Sequence, residues 1–316
     1  MNKPDFTQTH WSKNVESDFR VLLKLAIDED VRGGIDLTTY AVVPEDVRGK
    51  VSLSARHEGY LAGMALVPII MEYAPDVVWE PLLKDGDPLY PGTKIGTLHG
   101  NARQILHIER PLLNFLSRLC GIASLTHFYV EWVDLIEGKK PGIYDTRKTT
   151  PGWRLLEKYA IQCGGGKNHR SGLYDAILIK DNHLALACGK LKTANSFEEQ
   201  PLFDPAEAIR RAKEFLKERN MANTLIEIEV DSLEQLKRAL PEKPDIVLLD
   251  NMNPPLLRQA VAMRDEMAPE VELEASGGIS LKTIGKIAAT GVERISVGSL
   301  THAASSLDIG LDWEAE

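Results

Sequence analysis

Short apolar runs alternate with amphipathic runs through the second half of the chain, and this alternation restricts the possible folds most strongly. Strands that alternate with helices form βαβ units with parallel pairing. The predicted strands span residues 142–145, 175–180, 225–230, 245–250, 271–275 and 293–297. The predicted helices span 152–162, 205–219, 232–240, 254–267 and 281–290. No strand is followed by a GxGxxG turn, so a closed α/β barrel is favoured over a doubly wound dinucleotide-binding sheet.

Polar side chains stand at or just after the end of nearly every predicted strand. Barrel enzymes build their sites from the loops at the carboxyl ends of their strands, so these side chains are expected to meet at one barrel opening. They are Arg147, Lys148, Lys180, Glu229, Asp250, Ser276 and Ser299, and Gly298 accompanies Ser299 in the last turn.

The first third of the chain has a different pattern. A helix is predicted over 15–30 and a strand over 49–56, followed by a glycine-punctuated strand-and-turn region. From Arg103 to about Ile136 the pattern is helical, with predicted breaks at Pro111 and Gly121. The change in pattern near residue 103 indicates a separate N-terminal part.

Charge is distributed unevenly along the chain. Residues 139–183 carry nine Lys and Arg against four acids, whereas the whole chain has a net charge of −9. The acidic total argues against a nucleic-acid-binding surface, which is basic across a whole domain. A local basic segment with glycine-rich turns instead predicts a site for a small, multiply charged anion.

Several features predict a cytoplasmic protein. The three cysteines show neither metal nor redox spacing, as in a reducing compartment. The N-terminal residues lack the apolar segment of a signal peptide, and the longest apolar run, 61–71, is too short to cross a bilayer. No membrane or nucleic-acid partner is expected.

Two cationic motifs are the first candidates for a binding site. In DTRKTTPG, Arg147 offers a planar fork to a carboxylate or phosphate, and Lys148 a mobile charge. In GGGKNHR, three glycines allow backbone N–H groups to approach an anion, and His169 and Arg170 add donors. The alternative for DTRKTTPG is a solvated turn, and the alternative for GGGKNHR is a flexible surface loop.

Lys180 ends the apolar run DAILIK, which predicts an amine at the barrel rim. It could form a Schiff base or hold a phosphate, or its stem could simply cover apolar surface. Glu229 and Asp250 end similar strands and could bind Mg²⁺ or sugar hydroxyls or accept a proton. Glu227 shares the face of Glu229, so the pattern does not choose between them, and structural ion pairing is an alternative for both.

Two Gly/Ser turns follow the last predicted strands, in EASGGI at 274–279 and in VGS at 297–299. Such turns offer free N–H groups to a phosphate, and barrel phosphate sites lie in this position. The sequence contains no Ser-His-Asp elbow, HExxH motif, P-loop or CxxC pair, and nothing predicts a bound redox cofactor.

Six motifs occur in order: ERPLLNFLSRLCGIAS (109–124), DTRKTTPGWRLLEKYA (145–160), GGGKNHRSGLYDAILIKDNH (164–183), IEIEV (226–230), VLLDNM (247–252) and EASGGI (274–279). Together they resemble the quinolinate phosphoribosyltransferases, the decarboxylating nicotinate-nucleotide pyrophosphorylases. The resemblance runs from the acidic, glycine-containing loop at 28–39 to ISVGSLTH at 295–302.

The resemblance implies an N-terminal α/β sandwich domain at 1–120 and an incomplete α/β barrel of about seven strands at 121–302, the type II phosphoribosyltransferase fold. The C-terminal tail, 303–316, is expected to pack back on the sandwich. The resemblance also implies a homodimer in which Arg110 of one subunit reaches the site of the other.

The implied reaction joins quinolinate to phosphoribosyl pyrophosphate with Mg²⁺, and gives nicotinate mononucleotide, pyrophosphate and CO₂. The implied quinolinate ligands are Arg110, Arg147, His169 and Arg170. Lys148 and Lys180 would neutralise phosphate oxygens, and Glu229 and Asp250 would bind ribose hydroxyls and Mg²⁺; these four are the expected catalytic residues. The implied 5′-phosphate ligands are Ser276, Gly277, Gly278, Gly298 and Ser299.

Three other functions compete with this interpretation. A relative of the molybdenum-transport-associated type could use the same scaffold with another base. A Schiff-base aldolase could use Lys180. A non-catalytic protein could bind anions at the same residues.

Overall fold

The computed structural model describes residues 5–187 and 204–314. Within them the chain forms two compact units. The parallel unit comprises residues 5–7, 131–147, 169–187 and 204–297, and the antiparallel unit comprises 8–130, 148–168 and 298–314. Each unit is assembled from segments that are distant in the sequence.

The helices are α1 Lys13–Val31, α2 Leu37–Val42, α3 Val67–Ile70, α4 Ala102–Asp134, α5 Arg154–Cys163, α6 Asp181–Ala187, α7 Pro205–Glu218, α8 Leu233–Ala239, α9 Pro254–Met267, α10 Ile284–Ala288 and α11 Ser299–His302. The strands are β1 Arg48–Ala55, β2 Gly59–Tyr60, β3 Val77–Pro81, β4 Pro88–Leu89, β5 Lys94–Asn101, β6 Gly142–Tyr144, β7 Ile177–Ile179, β8 Ile226–Val230, β9 Ile246–Asp250, β10 Glu272–Ser276, β11 Arg294–Ser296 and β12 Ile309–Trp313. Short 3₁₀ turns lie at Met64–Leu66, Met71–Tyr73 and Leu240–Glu242.

The parallel unit is built on one six-stranded sheet with the order β6-β11-β10-β9-β8-β7. All the strand pairs in it are parallel, as the alternation of strands and helices predicts. The six strands predicted from sequence are present, each within two residues at either end. The described residues hold six strands of this sheet, against the seven or so that the resemblance implies.

Side-chain caps position several helices that follow these strands. The Ser232 hydroxyl accepts a hydrogen bond from the Gln235 N–H at 3.4 Å, which is one half of a capping box, whereas the Gln235 side chain accepts from the Asp231 N–H at 3.2 Å. The Asn253 side chain accepts from the Leu256 N–H at 3.1 Å at the start of α9. Each cap fixes the place where the chain leaves a strand end and turns into a helix.

The antiparallel unit contains a four-stranded sheet with the order β12-β1-β5-β3. The C-terminal strand β12 pairs with β1, with Leu53 opposite Leu311. The α/β class predicted from sequence is confirmed, and the structure shows that the sheet of the N-terminal part is antiparallel. Helix α1 buries one stripe at a spacing of four residues, Val15, Phe19, Leu23 and Ile27.

Helix α4 runs without interruption from Ala102 to Asp134, so the predicted breaks at Pro111 and Gly121 are wrong. A proline inside a helix costs about 3 kcal/mol, and each buried leucine nearby contributes about 1.5–3 kcal/mol. Leu112 and Leu116 are fully buried, so the free energy gained by burying them outweighs the cost of the backbone hydrogen bond that Pro111 cannot donate. Helix α4 has no room for a side chain at Gly121, since a Cβ there would lie 2.0 Å from the Ser305 carbonyl oxygen.

None of the helices in the described residues combines the length and the hydropathy needed to span a membrane.

Candidate active site

Polar residues line the edge of the parallel sheet formed by the carboxyl ends of its strands. Lys180 directly follows β7, Glu229 lies next to the end of β8, and Asp250 and Ser276 end β9 and β10. Asp250 and Ser276 are register partners on neighbouring strands. Parallel pairing therefore gathers residues that are almost 100 positions apart in the sequence along one edge.

A cation and a carboxylate meet at this edge. The Lys180 ammonium contacts an oxygen of Glu229 in a short ion pair. The Asn251 amide donates to an Asp250 oxygen at 2.8 Å. In the part of the chain that the structure describes, neither carboxylate engages its second oxygen in a hydrogen bond, which leaves one acceptor on each. Carboxylate oxygens are the ligands that Mg²⁺ prefers, so these two residues fit a magnesium site.

The turn after β10 requires its glycines. Gly277 has φ +89° and Gly278 has φ +61°, both in the left-handed region. A Cβ on Gly277 would lie 2.2 Å from the Asn251 side-chain oxygen. The Asn251 N–H donates to the Ser276 carbonyl at 2.9 Å. The turn is therefore held against the end of β9 with no room for a side chain at its first glycine.

Two arginines of the parallel unit, Arg147 and Arg170, interact through their charges. Arg170 is buried and donates to the Ala176 carbonyl at 3.2 Å. Burial and the nearby positive charge of Arg147 lower the pKa of Arg170. The Nε atoms of both arginines are buried, and no hydrogen-bond partner for either lies within residues 5–187 and 204–314. Clustered arginines with unsatisfied donors are suited to an anion with two carboxylates.

His169 is directed into the parallel unit. Its Nε2 lies 2.9 Å from an oxygen of Glu227 and 3.6 Å from one of Glu274, and its ring packs on Phe6. Its Nδ1 accepts the Arg170 N–H at 2.8 Å. Burial lowers the pKa of His169, but the two carboxylates outweigh burial and raise it. The imidazole therefore supports the Arg170 backbone, and its contact with a substrate stays a prediction.

Glu274 extends this cluster to a buried arginine. Its second oxygen lies 3.1 Å from Nε of Arg294, whose other nitrogens reach Asp5 and Glu272. The Arg294 guanidinium also stacks over Tyr144, 3.8 Å from the ring centre. Burial and the charge of Glu227 raise the pKa of Glu274. The ligand atoms of His169, Glu227 and Glu274 lie within 4.8 Å of one another, but the His169–Glu227 distance is that of an ion pair.

The sequence pattern does not predict this buried cluster. The pattern presents Glu227 only as an alternative to Glu229, and it does not mark Glu274 or Arg294 as site residues. A signal is present, because Glu227 and Glu274 alternate with apolar residues in IEIEV and ELEAS, and Arg294 begins the strand RIS. Charged side chains at such positions are rarely buried unless they are paired.

The remaining predicted residues lie in the antiparallel unit. Arg110 is largely exposed, with a side-chain nitrogen 3.8 Å from Glu109. Lys148 is exposed, and its Cδ lies 3.2 Å from the position of a Cβ on Gly298. The Ser299 hydroxyl is buried and has no hydrogen-bond partner in the described residues. Lys148 and the Gly298–Ser299 turn are therefore neighbours.

Comparison with known proteins identifies the family. The family model described as "Quinolinate phosphoribosyl transferase, C-terminal domain" matches residues 122–312, and its N-terminal counterpart matches 36–120. A nicotinate-nucleotide pyrophosphorylase [carboxylating] of Mycobacterium leprae is 41% identical over 93% of this chain and 96% of its own length. The chain belongs to the quinolinate phosphoribosyltransferase family.

Other members of this family are also similar to the chain over most of its length. A chloroplastic nicotinate-nucleotide pyrophosphorylase [carboxylating] of Arabidopsis thaliana is 36% identical over 95% of this chain and 84% of its own length. The solved structure of the nicotinate-nucleotide pyrophosphorylase of Francisella tularensis superimposes with a TM-score of 0.84 at 32% identity, and covers 98% of this chain and all of that one. The resemblance read from six motifs, and the type II fold it implies, are confirmed.

Proposed function

We propose that the chain transfers the phosphoribosyl group of phosphoribosyl pyrophosphate to quinolinate and releases CO₂, pyrophosphate and nicotinate mononucleotide. One observation in the parallel unit carries this proposal besides family membership. Arg147 and Arg170 each have a buried Nε that lacks a partner in the described residues, and the charge of Arg147 acts on Arg170. Such a pair needs a bound anion, and quinolinate brings two carboxylates.

The acceptor is held by these arginines. Arg147 and Arg170 bind the carboxylates of quinolinate and fix the plane of its ring. His169 supports Arg170 through the backbone N–H that it accepts. Direct binding of quinolinate by His169 would require its Nε2 to leave Glu227.

The donor is held by charged side chains at the strand ends. Lys180 neutralises phosphate or pyrophosphate oxygens, and Glu229 and Asp250 bind the ribose hydroxyls. Glu229 and Asp250 would also hold Mg²⁺, which when bound offsets charge on the pyrophosphate leaving group. The Ser276–Gly278 turn offers backbone N–H groups to the 5′-phosphate. In the antiparallel unit, Lys148, Gly298 and Ser299 are proposed to bind phosphate oxygens.

The reaction makes two bonds, N–C1′ and C–H, and breaks two, C1′–O and C–CO₂. The pyridine nitrogen attacks C1′, and the bond from C1′ to pyrophosphate breaks as positive charge develops on the ribose. The nitrogen is then quaternary, so the carbon next to it can keep the electron pair of the departing carboxylate as an ylide. CO₂ leaves and a proton takes its place. The protein contributes positioning and preorganised charges.

A release assay tests the reaction. Quinolinate labelled in its carboxyl groups is expected to release CO₂ only when phosphoribosyl pyrophosphate is present, with nicotinate mononucleotide in equal amount. Nicotinate in place of quinolinate is the control for a family relative that uses another base. Preferential use of nicotinate, or CO₂ release without the phosphoribosyl donor, would contradict the proposal.

We also propose a homodimer in which Arg110 of each subunit binds quinolinate in the other subunit's site. The exposure of Arg110 is compatible with this role. Arg110→Ala and Arg147→Ala are each expected to retain only a small residual activity. Mixing and refolding them in equal amounts should restore about a quarter of wild-type activity, because half of the dimers then contain one intact site. An inactive mixture of correctly assembled dimers would exclude this arrangement.

We propose that the protein acts in the cytoplasm, because its three cysteines show neither metal nor redox spacing. Immunofluorescence or cell fractionation with a tagged chain tests this, and recovery in another compartment would contradict it.

A further inference from the structure

One face of helix α4 holds two separate segments of the antiparallel unit. Phe115 stacks on Trp153, with ring centres 4.8 Å apart. One turn further along, Arg118 reaches the segment 301–304, and Gly121 lies directly against Ser305. Residues three apart on a helix share a face, so these contacts form one surface. It joins the turn that contains Lys148 to the turn that contains Gly298 and Ser299.

An ion pair between the partly exposed Arg118 and the buried Glu157 lies at the centre of this surface. Arg118 donates to the Ala304 carbonyl at 2.7 Å, to the Thr301 carbonyl, and to Glu157 at 2.7 Å. The Glu157 side chain has no solvent exposure. Its oxygens also accept the Thr150 hydroxyl at 2.9 Å and the Thr150 N–H at 3.2 Å. One guanidinium and one carboxylate thus bind both segments.

The two segments are also joined directly next to this pair. The Thr301 hydroxyl donates to the Lys148 carbonyl at 2.7 Å. The Lys148 stem lies against Gly298, where a Cβ would be only 3.2 Å away. A change in the Arg118–Glu157 pair therefore changes the spacing between Lys148 and the Gly298–Ser299 turn.

We infer that Arg118 and Glu157 are positioning residues for the phosphoribosyl donor, a role that rests on the proposed function. They touch neither substrate. They set the distance between Lys148 and the Gly298–Ser299 turn, which bind phosphate oxygens. An apolar pair of similar volume would often be as stable as a buried ion pair. The forked geometry is needed here because the guanidinium must satisfy two carbonyls and a carboxylate in fixed directions.

Glu157→Gln, Arg118→Met and Arg118→Lys test this role. The first two should raise the KM for phosphoribosyl pyrophosphate and the Kd of inorganic pyrophosphate by about tenfold, equivalent to about 1.4 kcal/mol. The affinity of both variants for quinolinate, measured by calorimetry, should stay at the wild-type value. Arg118→Lys should fall in between, since it keeps the charge and loses the fork. Added guanidinium ion should partly restore the pyrophosphate affinity of Arg118→Ala.

Arg264→Met is the matched control. Arg264 forms another buried ion pair, with Glu293 at 2.7 Å, and it also donates to the Val271 carbonyl just before β10 begins. This pair lies at the edge of the parallel sheet where its strands start, so breaking it should lower stability without a selective effect on the donor. If the single variants of Arg118 or Glu157 fail to fold, the charge-neutral double variant Arg118→Met with Glu157→Met should fold and show the same donor defect.

The outcomes separate the two proposals. Folded variants with wild-type affinity for pyrophosphate, or with equal losses for pyrophosphate and quinolinate, would overturn the positioning role. If the wild-type chain releases no CO₂ from quinolinate, the proposed function fails. The comparison of pyrophosphate affinities still decides the role of Arg118 and Glu157 in that case.

Discussion

The Nε2 atom of His169 lies 2.9 Å from a carboxylate oxygen of Glu227, and both side chains are buried. The negative charges of Glu227 and Glu274 outweigh the cost of burying the cation and raise the pKa of His169, although the protonated ring gives up the hydrogen bond that the neutral Nδ1 accepts from the Arg170 N–H. The cluster therefore stabilises the fold through a charge that depends on pH.

Stability should fall as the pH rises through the folded-state pKa of His169. Because that pKa is raised above the ordinary 6.5, the folded chain binds more protons than the unfolded chain between the two values. The stabilisation is complete below pH 6.5 and is lost above it, with a slope of at most about 1.4 kcal/mol per pH unit. Urea unfolding at several pH values measures it.

The variant His169→Gln tests whether His169 causes this pH dependence of stability. It should be less stable than wild type at pH 6 and show a flatter slope above pH 6.5. Glu274, whose pKa is also raised, gives a slope of the same sign that begins at lower pH and remains in the variant. Equal slopes for the two proteins would show that His169 does not titrate in this range.

Arg147→Ala should reduce kcat/KM for quinolinate by about a hundredfold, equivalent to about 2.7 kcal/mol, because a charged ligand for a carboxylate is lost. The fold should persist, since no hydrogen bond within the described residues uses its Nε. Steady-state kinetics with circular dichroism checks both. Turnover like that of wild type would remove Arg147 from the quinolinate site.

Lys180→Arg should lower kcat by about tenfold or more even though the charge is kept. The Lys180 amine contacts Glu229 at the sheet edge, and the wider, planar guanidinium cannot take the same position. Lys243→Arg is a control, because that exposed lysine pairs with Glu270 on the surface. Near-normal kcat for Lys180→Arg would make Lys180 a bystander.

Gly277→Ala should raise the KM for phosphoribosyl pyrophosphate more than Gly278→Ala does. Both positions have positive φ, which costs an alanine about 1–2 kcal/mol. Only at Gly277 would the new Cβ strike the Asn251 side chain, at 2.2 Å; nothing described lies within 4 Å of a Cβ on Gly278. An equal rise in KM for the two variants would show that the close approach of Gly277 to Asn251 does not affect binding of phosphoribosyl pyrophosphate.

Asp250→Asn should increase the Mg²⁺ concentration needed for half-maximal activity by about tenfold, because an amide oxygen is a weaker ligand than a carboxylate. Chelation of Mg²⁺ should abolish activity of the wild type. Asp265→Asn, a change at an exposed carboxylate beside Arg264, should leave the requirement unchanged. An unaltered Mg²⁺ requirement in Asp250→Asn would remove Asp250 from the metal site.

Local patterns predicted much of the parallel unit. Alternation of apolar and amphipathic segments located its six strands, because burial on both faces of a parallel sheet demands apolar runs. The same argument placed Lys180, Glu229, Asp250 and Ser276 at strand ends, where the structure has them. Motif order identified the family. The breaks expected at Pro111 and Gly121 failed because local propensity takes no account of the packing around Leu112 and Leu116.

The sequence by itself determined the fold class, the family and the strand-end residues, since these depend on periodicity and on the order of motifs. Only the tertiary structure decided which charges pair. It placed Glu227 and Glu274 on His169, Glu229 on Lys180, and Glu157 on Arg118. These partners are 39 to 105 positions apart in the chain, and no local pattern carries their separation. Pairing follows from strand register and helix packing, which exist only once the chain has folded.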